Sequence, residues 1–236
     1  MLLSAALAAR AAIDDNPTIR IAGRPHGEPM KQEMIVGNVA LIVIDIQKGA
    51  GPPDEHTIPV MGPADTMIAN ARRLIAAARE AEVPVVFIQE VHRPNLVDFG
   101  RELDGVEGIH CLEDYPLTAI SDEIGFRPES DYWIKKRRYS AFFGTELSIL
   151  LKGLKAETLI LIGGLTDVCV HYTFADAHQN DFYTRVVEDC VIASSHAAHN
   201  ASLAAMEYLQ TGARRSTEEV LSAFAAMAAA KEPVLV

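Results

Sequence analysis

Three side chains of the 236-residue chain stand where covalent chemistry is easily built: Asp45, Lys136 and Cys169. Asp45 closes the apolar run in LIVIDIQKG, Lys136 lies in WIKKRRYSAFFGTEL, and Cys169 lies in GGLTDVCVHYT. Singly, each has an ordinary explanation: a loop-anchoring carboxylate, a solvated basic patch, and a small buried hydrophobe. Together they supply a proton acceptor, a cation and a nucleophile. A cysteine just inside a helix has its thiolate favoured by the helix dipole and the free N–H groups there. A neighbouring lysine lowers the thiol pKa further, and an aspartate can accept and later return its proton. The N–H groups from Thr166 to Cys169 are suited to an oxyanion. This is the layout of covalent acyl transfer.

The elements that must position these groups read as an alternation of strands and helices. VALIVID (39–45) is a continuous apolar, β-branched run, as expected of a strand buried on both faces. DTMIANARRLIAAAREAE follows with apolar residues at helical spacing, then VVFIQE after Pro84, a short WIKK strand, and a TELSILLKGL helix. TLILIGG (158–164) leads into a helix beginning near Asp167; RVVEDCVI is a fifth strand, with helices at 196–210 and 216–230. The stretch 91–131 is long and mixed, and suits a substrate-facing excursion. The pattern predicts a single-domain three-layer α/β/α sandwich with a parallel sheet. Ligands in such folds sit beyond the carboxyl ends of the strands, where strand order reverses.

Composition narrows the function. With 21 basic and 32 acidic residues the formal net charge is −11, so nucleic acid and anionic membranes are poor partners. No apolar run approaches the ~18 residues of a membrane span. Cys111, Cys169 and Cys190 form no CxxC pair and are too few for a disulfide framework, which points to a reducing, cytoplasmic setting. The opening MLLSAALAARAAI has no basic residue before its apolar stretch, so it is read as a helix that packs rather than a signal peptide.

LIVIDIQ, K-x-R-Y-S-A-F-F-x-T-x-L and GG-x-T-D-x-C-V-x-x-T resemble the three signatures of the isochorismatase-like cysteine hydrolases. That family includes N-carbamoylsarcosine, ureidoacrylate and maleamate amidohydrolases, biuret hydrolase and nicotinamidase. The resemblance implies a hydrolase domain over 38–230 behind an N-terminal arm (1–37), a six-stranded parallel sheet, and an Asp45–Lys136–Cys169 triad. Lys135 competes with Lys136 by eye; the spacing to Phe142 of S-A-F favours Lys136. A cis peptide is expected at Leu165–Thr166, turning the Thr166 amide to the oxyanion beside that of Cys169. Family enzymes that cleave a vinyl ether lack the cysteine, so Cys169 argues for amide chemistry. Gln47, Arg138 and Tyr139 are the expected substrate contacts. Gln210 matches a glutamine that orients substrate in biuret-cleaving relatives.

The implied activity is hydrolysis of a small carbamoyl or ureido amide with release of ammonia, by a dimer or tetramer. A nicotinamidase-like enzyme, and a silent binding protein of the same fold, are the alternatives. No cofactor is expected. No metal is expected either, because His56 in DIQKGAGPPDEH lacks an Asp-x-His spacing, and His196 and His199 read as helix-surface or packing residues. His92 and His110 are read either as substrate contacts or as loop hydrogen-bond partners. Cys190 reads as core.

Overall fold

The computed structural model describes residues 33–49 and 56–231. Most of the expected N-terminal arm, including its apolar start, lies outside the described residues. Six strands form one parallel sheet: β1 (Asn38–Ile44), β2 (Val85–Glu90), β3 (Tyr132–Lys136), β4 (Ala156–Gly164), β5 (Tyr183–Ile192) and β6 (Arg214–Arg215). Their order is β3-β2-β1-β4-β5-β6. The helices are α1 (Asp65–Glu80), α2 (Leu147–Gly153), α3 (Cys169–Gln179), α4 (His196–Leu209) and α5 (Thr217–Lys231).

The apolar runs become strands because both of their faces are covered. Val39, Leu41 and Val43 of β1 pack towards Leu74, Ile75 and Phe224 of α1 and α5. Ala40, Ile42 and Ile44 point the other way, into Leu147, Leu151 and Phe174 of α2 and α3. Each such aliphatic side chain contributes roughly 1.5–3 kcal/mol by burial, which explains why β1 carries no alternation of polar residues.

The chain builds outward from β1 to β3, then returns to add β4, β5 and β6 on the other side. The connections leaving β1 and β4 therefore diverge, and a crevice opens at their carboxyl ends. Backbone geometry fixes this junction closely. Gly163 has φ +115°, and a Cβ there would lie 1.9 Å from the Ile44 carbonyl oxygen; only glycine lets β4 run this close beneath Asp45. Between β2 and β3 the excursion holds three short 3-10 turns, and single bridges join His92 to Leu112 and Gln47 to Ile120. Among the described residues no helix is long and apolar enough to cross a membrane.

Candidate active site

Four strand ends converge. Asp45 follows β1, Glu90 ends β2, Lys136 ends β3, and Cys169 is the first residue of α3, after β4. In β3 the side chains of Ile134 and Lys136 turn inward and both are buried. Lys135 points out, its ammonium 5.1 Å from the centre of the Trp133 ring. Strand alternation thus selects Lys136, as the spacing to Phe142 had.

Lys136 is fully buried. Its Nζ lies 2.9 Å from Asp45 Oδ2, donates to Cys169 Sγ at 3.3 Å, and donates to Glu90 Oε2. The Cys169 thiol in turn donates to Glu90 Oε2 at 3.5 Å. One oxygen each from Asp45 and Glu90, with the sulfur, lie within 4.8 Å of one another. Two carboxylates, one ammonium and one thiol share this buried space.

Their protonation follows from that crowding. Burial raises Asp45 to about 6 against the pull of Lys136, and the Glu90 charge adds to the rise. Burial acts the same way on Glu90, but Lys136 and hydrogen bonds from His110 and His92 hold it well below the carboxylate range. Burial opposes the charge on Lys136, yet Asp45, Cys169 and Glu90 keep it firmly protonated. Burial also pushes the Cys169 thiol well above its ordinary value; Lys136 pulls it down, and the two carboxylates push it up again. This corrects the expectation that the helix start and Lys136 leave the thiol pKa lowered. Dehydration and two anions outweigh a helix terminus and one lysine, so the surroundings of Cys169 favour its thiol over its thiolate.

Glu90 is the residue that sequence reasoning missed. It is held from every side. Gln47 Oε1 accepts from the Glu90 amide at 2.9 Å, and Gln47 Nε2 donates to the Glu90 and Thr118 carbonyls at 3.0 and 2.8 Å. Gln47 lines the cavity, but both of its Nε2 hydrogens are committed to backbone carbonyls; it positions Glu90 and keeps only a lone pair on Oε1 for a substrate. Glu90 Oε1 accepts from His110 Nε2 at 2.9 Å and from His92 Nε2 at 3.3 Å. Of the two readings for these histidines, buried hydrogen bonding is the one observed. His92 also stacks on Phe99, 3.9 Å between ring centres.

The oxyanion expectation needs a one-residue correction. The cis peptide joins Gly164 to Leu165 rather than Leu165 to Thr166. The Thr166 amide donates to the Ile192 carbonyl at 2.8 Å, because the chain still tracks β5 there. Thr166 is therefore not a free donor; its hydroxyl lies 3.1 Å from His199 Nδ1. Among the described residues, the amides of Leu165 and Cys169 have no acceptor, and these two can take an oxyanion.

Two other expected substrate contacts are placed elsewhere. The Arg138 guanidinium donates to the carbonyls of Asp98 and Arg137, turned into the excursion rather than the cavity. Gln210 ends α4 at the amino end of the sheet, where its Oε1 accepts from the Thr184 amide at 2.7 Å and from buried Arg185 at 2.5 Å. It is a clamp for β5, on the far side from Cys169. Tyr139 does line the cavity and stacks on Tyr172.

Asp45, Glu90, Tyr139, Leu165 and Cys169 line one cavity of about 760 Å³. Beside it, Glu90, His92, Glu102 and His110, all buried, bring donor atoms within 4.8 Å of one another. Two imidazoles and two carboxylates are a donor set for a divalent cation such as zinc, and Glu102 Oε2 already lies 3.3 Å from His92 Nε2. The group fits such an ion in kind. The acid-x-His pair here is Glu90-Val91-His92 at the end of the second strand, not in the loop after the first. The other acidic group, Asp45 with Glu90 and Cys169, already encloses a cation, the Lys136 ammonium.

Beyond the geometry, residues 39–219 match the isochorismatase domain family. The chain belongs to the isochorismatase family, a family of hydrolases. It is 31% identical over 203 residues to the isochorismatase family protein YecD of Escherichia coli O157:H7, covering 81% of this chain and 98% of that one. Ureidoacrylate amidohydrolase RutB of Pseudomonas syringae pv. syringae is 29% identical over 205 residues, 75% of this chain and 78% of its own. The crystal structure of N-carbamoylsarcosine amidase from Thermoplasma acidophilum superposes with a TM-score of 0.62 at 26% identity, covering 77% of this chain and 98% of that one.

Proposed function

We propose that this protein is a cysteine-dependent amidohydrolase that cleaves a small carbamoyl- or ureido-type amide through a thioester, releasing ammonia. The observation that carries this reading is the Cys169 thiol at the start of α3, 3.3 Å from Lys136 Nζ, with the Asp45 carboxylate beside it. Relatives that act on ureidoacrylate and N-carbamoylsarcosine support the substrate class.

In this mechanism the Cys169 thiol gives its proton to Asp45 as the sulfur attacks the amide carbon. The thiol touches Glu90 at rest, but Asp45 is the better base, since its pKa of about 6 lies near working pH while Glu90 is held ionised. Lys136 keeps the departing charge on sulfur and carboxylate balanced. The oxyanion is held by the Leu165 and Cys169 amides. Asp45 then protonates the leaving nitrogen, ammonia departs, and water hydrolyses the thioester with Asp45 as base. If a divalent cation occupies Glu90, His92, Glu102 and His110, it supplies Lewis acidity at the edge of the cavity; no step above depends on it. By the same family resemblance the working unit is a dimer or tetramer.

The test is an ammonia-release screen over ureido, carbamoyl and primary amides. A preference for nicotinamide of tenfold or more in kcat/KM, about 1.4 kcal/mol, would replace this reading with a nicotinamidase-like one. A silent binding protein of the same fold is the second reading, and on its side stands the burial of Cys169 between two carboxylates, which disfavours its thiolate. Slow alkylation of the free protein therefore does not separate the two; ammonia release in a single turnover does.

A further inference from the structure

Acidic side chains outnumber lysine and arginine on the described wall of the cavity, and the Lys136 ammonium and the His92 and His110 imidazoles at its buried end are already engaged by Asp45 and Glu90. Asp45 and Glu90 lie at its buried end, and exposed Asp65, Asp122 and Glu123, with half-buried Glu107, stand along the rest of the wall. Among the described residues that line it, Lys48 is the single lysine or arginine, and its Nζ is 2.6 Å from Asp122 Oδ2. Lys136 reaches the reaction centre already shared between Asp45 and Glu90. Arg138, the guanidinium best placed by sequence to receive a carboxylate, is bound to backbone carbonyls in the excursion. The rest of the wall is mostly apolar, with Ile58, Val60, Ile68 and Val168 facing the space and His56, Ser121 and Tyr139 the polar exceptions beside Gln47.

From this we infer that the substrate carries no carboxylate: its body beyond the scissile amide is uncharged and apolar, as in an N-alkyl or N-aryl urea. The inference rests on the amide-hydrolysis reading for what happens to the ligand, but not for which ligand fits. A carboxylate-bearing amide needs a desolvated cationic partner, and a bidentate arginine is the usual one. Here it would instead enter among like charges, which selects against it. The cavity of about 760 Å³ is also larger than a bare carbamoyl group requires, and its apolar wall rewards a hydrocarbon body. On this point the chain departs from a ureidoacrylate hydrolase, whose substrate is by its name a carboxylate.

A matched pair of ligands tests this. Butylurea and γ-ureidobutyrate share the ureido group and a four-carbon chain and differ in the terminal carboxylate. Their dissociation constants are measured by calorimetry on full-length Cys169→Ala, and on Cys169→Ser should the alanine variant be unstable. Butylurea should bind about a hundredfold more tightly. In Asp65→Lys on the same background the gap should narrow by about tenfold, with butylurea affinity little changed. Equal or tighter binding of γ-ureidobutyrate overturns the inference, as does failure of butylurea to bind at about 10 mM. If butylurea binds selectively while the unmutated enzyme releases no ammonia from it, the charge selectivity stands and the hydrolytic reading falls.

Discussion

Gln210→Ala separates a structural glutamine from a substrate-orienting one. In the folded protein Gln210 Oε1 accepts from the Thr184 amide at 2.7 Å and from Arg185 at 2.5 Å, while Nε2 donates to the Phe182 carbonyl at 3.2 Å. Arg185 is fully buried and otherwise donates to the carbonyls of Glu33, Met34 and Thr184. Truncation leaves the buried Thr184 amide and one N–H of the buried Arg185 guanidinium unpaired, the other Nη1 hydrogen keeping the Thr184 carbonyl. Buried donors stranded in this way cost about 1–3 kcal/mol each, so stability should fall by roughly 2–4 kcal/mol. For a domain of this size that is a drop in Tm of roughly 5–12 °C. Activity should hardly move. Thr184 and Ile192 lie at opposite ends of β5, about 26 Å apart at ~3.3 Å per residue, and it is Ile192 that lines the cavity. Differential scanning calorimetry gives Tm, and kcat/KM is measured well below it; the ratio to wild type should stay within about twofold. A tenfold loss of kcat/KM with Tm unchanged would refute this placement of Gln210.

Lys136→Met should lower kcat by ~10³-fold or more, whereas Lys135→Ala, removing an exposed side chain above Trp133, should leave it near wild type; the reverse result would put the wrong lysine in the site. The acid limb of the kcat/KM profile should lie at about pH 6, activity rising as Asp45 loses its proton. Glu90→Gln removes one of the groups that raise Asp45, so that limb should move to lower pH; a limb that stays fixed or moves up contradicts the coupling. Exhaustive chelation should leave turnover intact, because Asp45 and Lys136 activate the nucleophile themselves; activity lost to chelator and restored by zinc or manganese would contradict this.

The strands with both faces buried were legible because apolar burial is written into their own residues. VVFIQE is β2 to the residue, and VALIVID and TLILIGG lie within one or two residues of β1 and β4. By contrast β6 is Arg214–Arg215, two charged residues that are a strand only because they pair with Val186 and Val187. Nothing local announces them. Asp45 was found by being an acid at the end of an apolar strand, and Glu90 satisfies the same rule at the end of VVFIQE. What distinguishes it is not local, because its partners Lys136, His92 and His110 are brought to it by β3 and by the excursion between β2 and β3. Arg138 and Gln210 failed differently: sequence gave their positions but not their directions, which are set by the carbonyls of Asp98 and Arg137 and by Arg185. The oxyanion donor slipped by one residue for a similar reason, since the Thr166 amide is claimed by Ile192 at the end of a later strand.

Covalent catalysis at Cys169 is tested most directly by mass spectrometry of enzyme quenched with acid during turnover of a ureido or carbamoyl substrate that releases ammonia. A thioester mechanism predicts an adduct on the peptide containing Cys169, equal in mass to the substrate less ammonia, present in wild type and absent from Cys169→Ser. Sustained ammonia release with no adduct, together with undiminished turnover by Cys169→Ala, would contradict it.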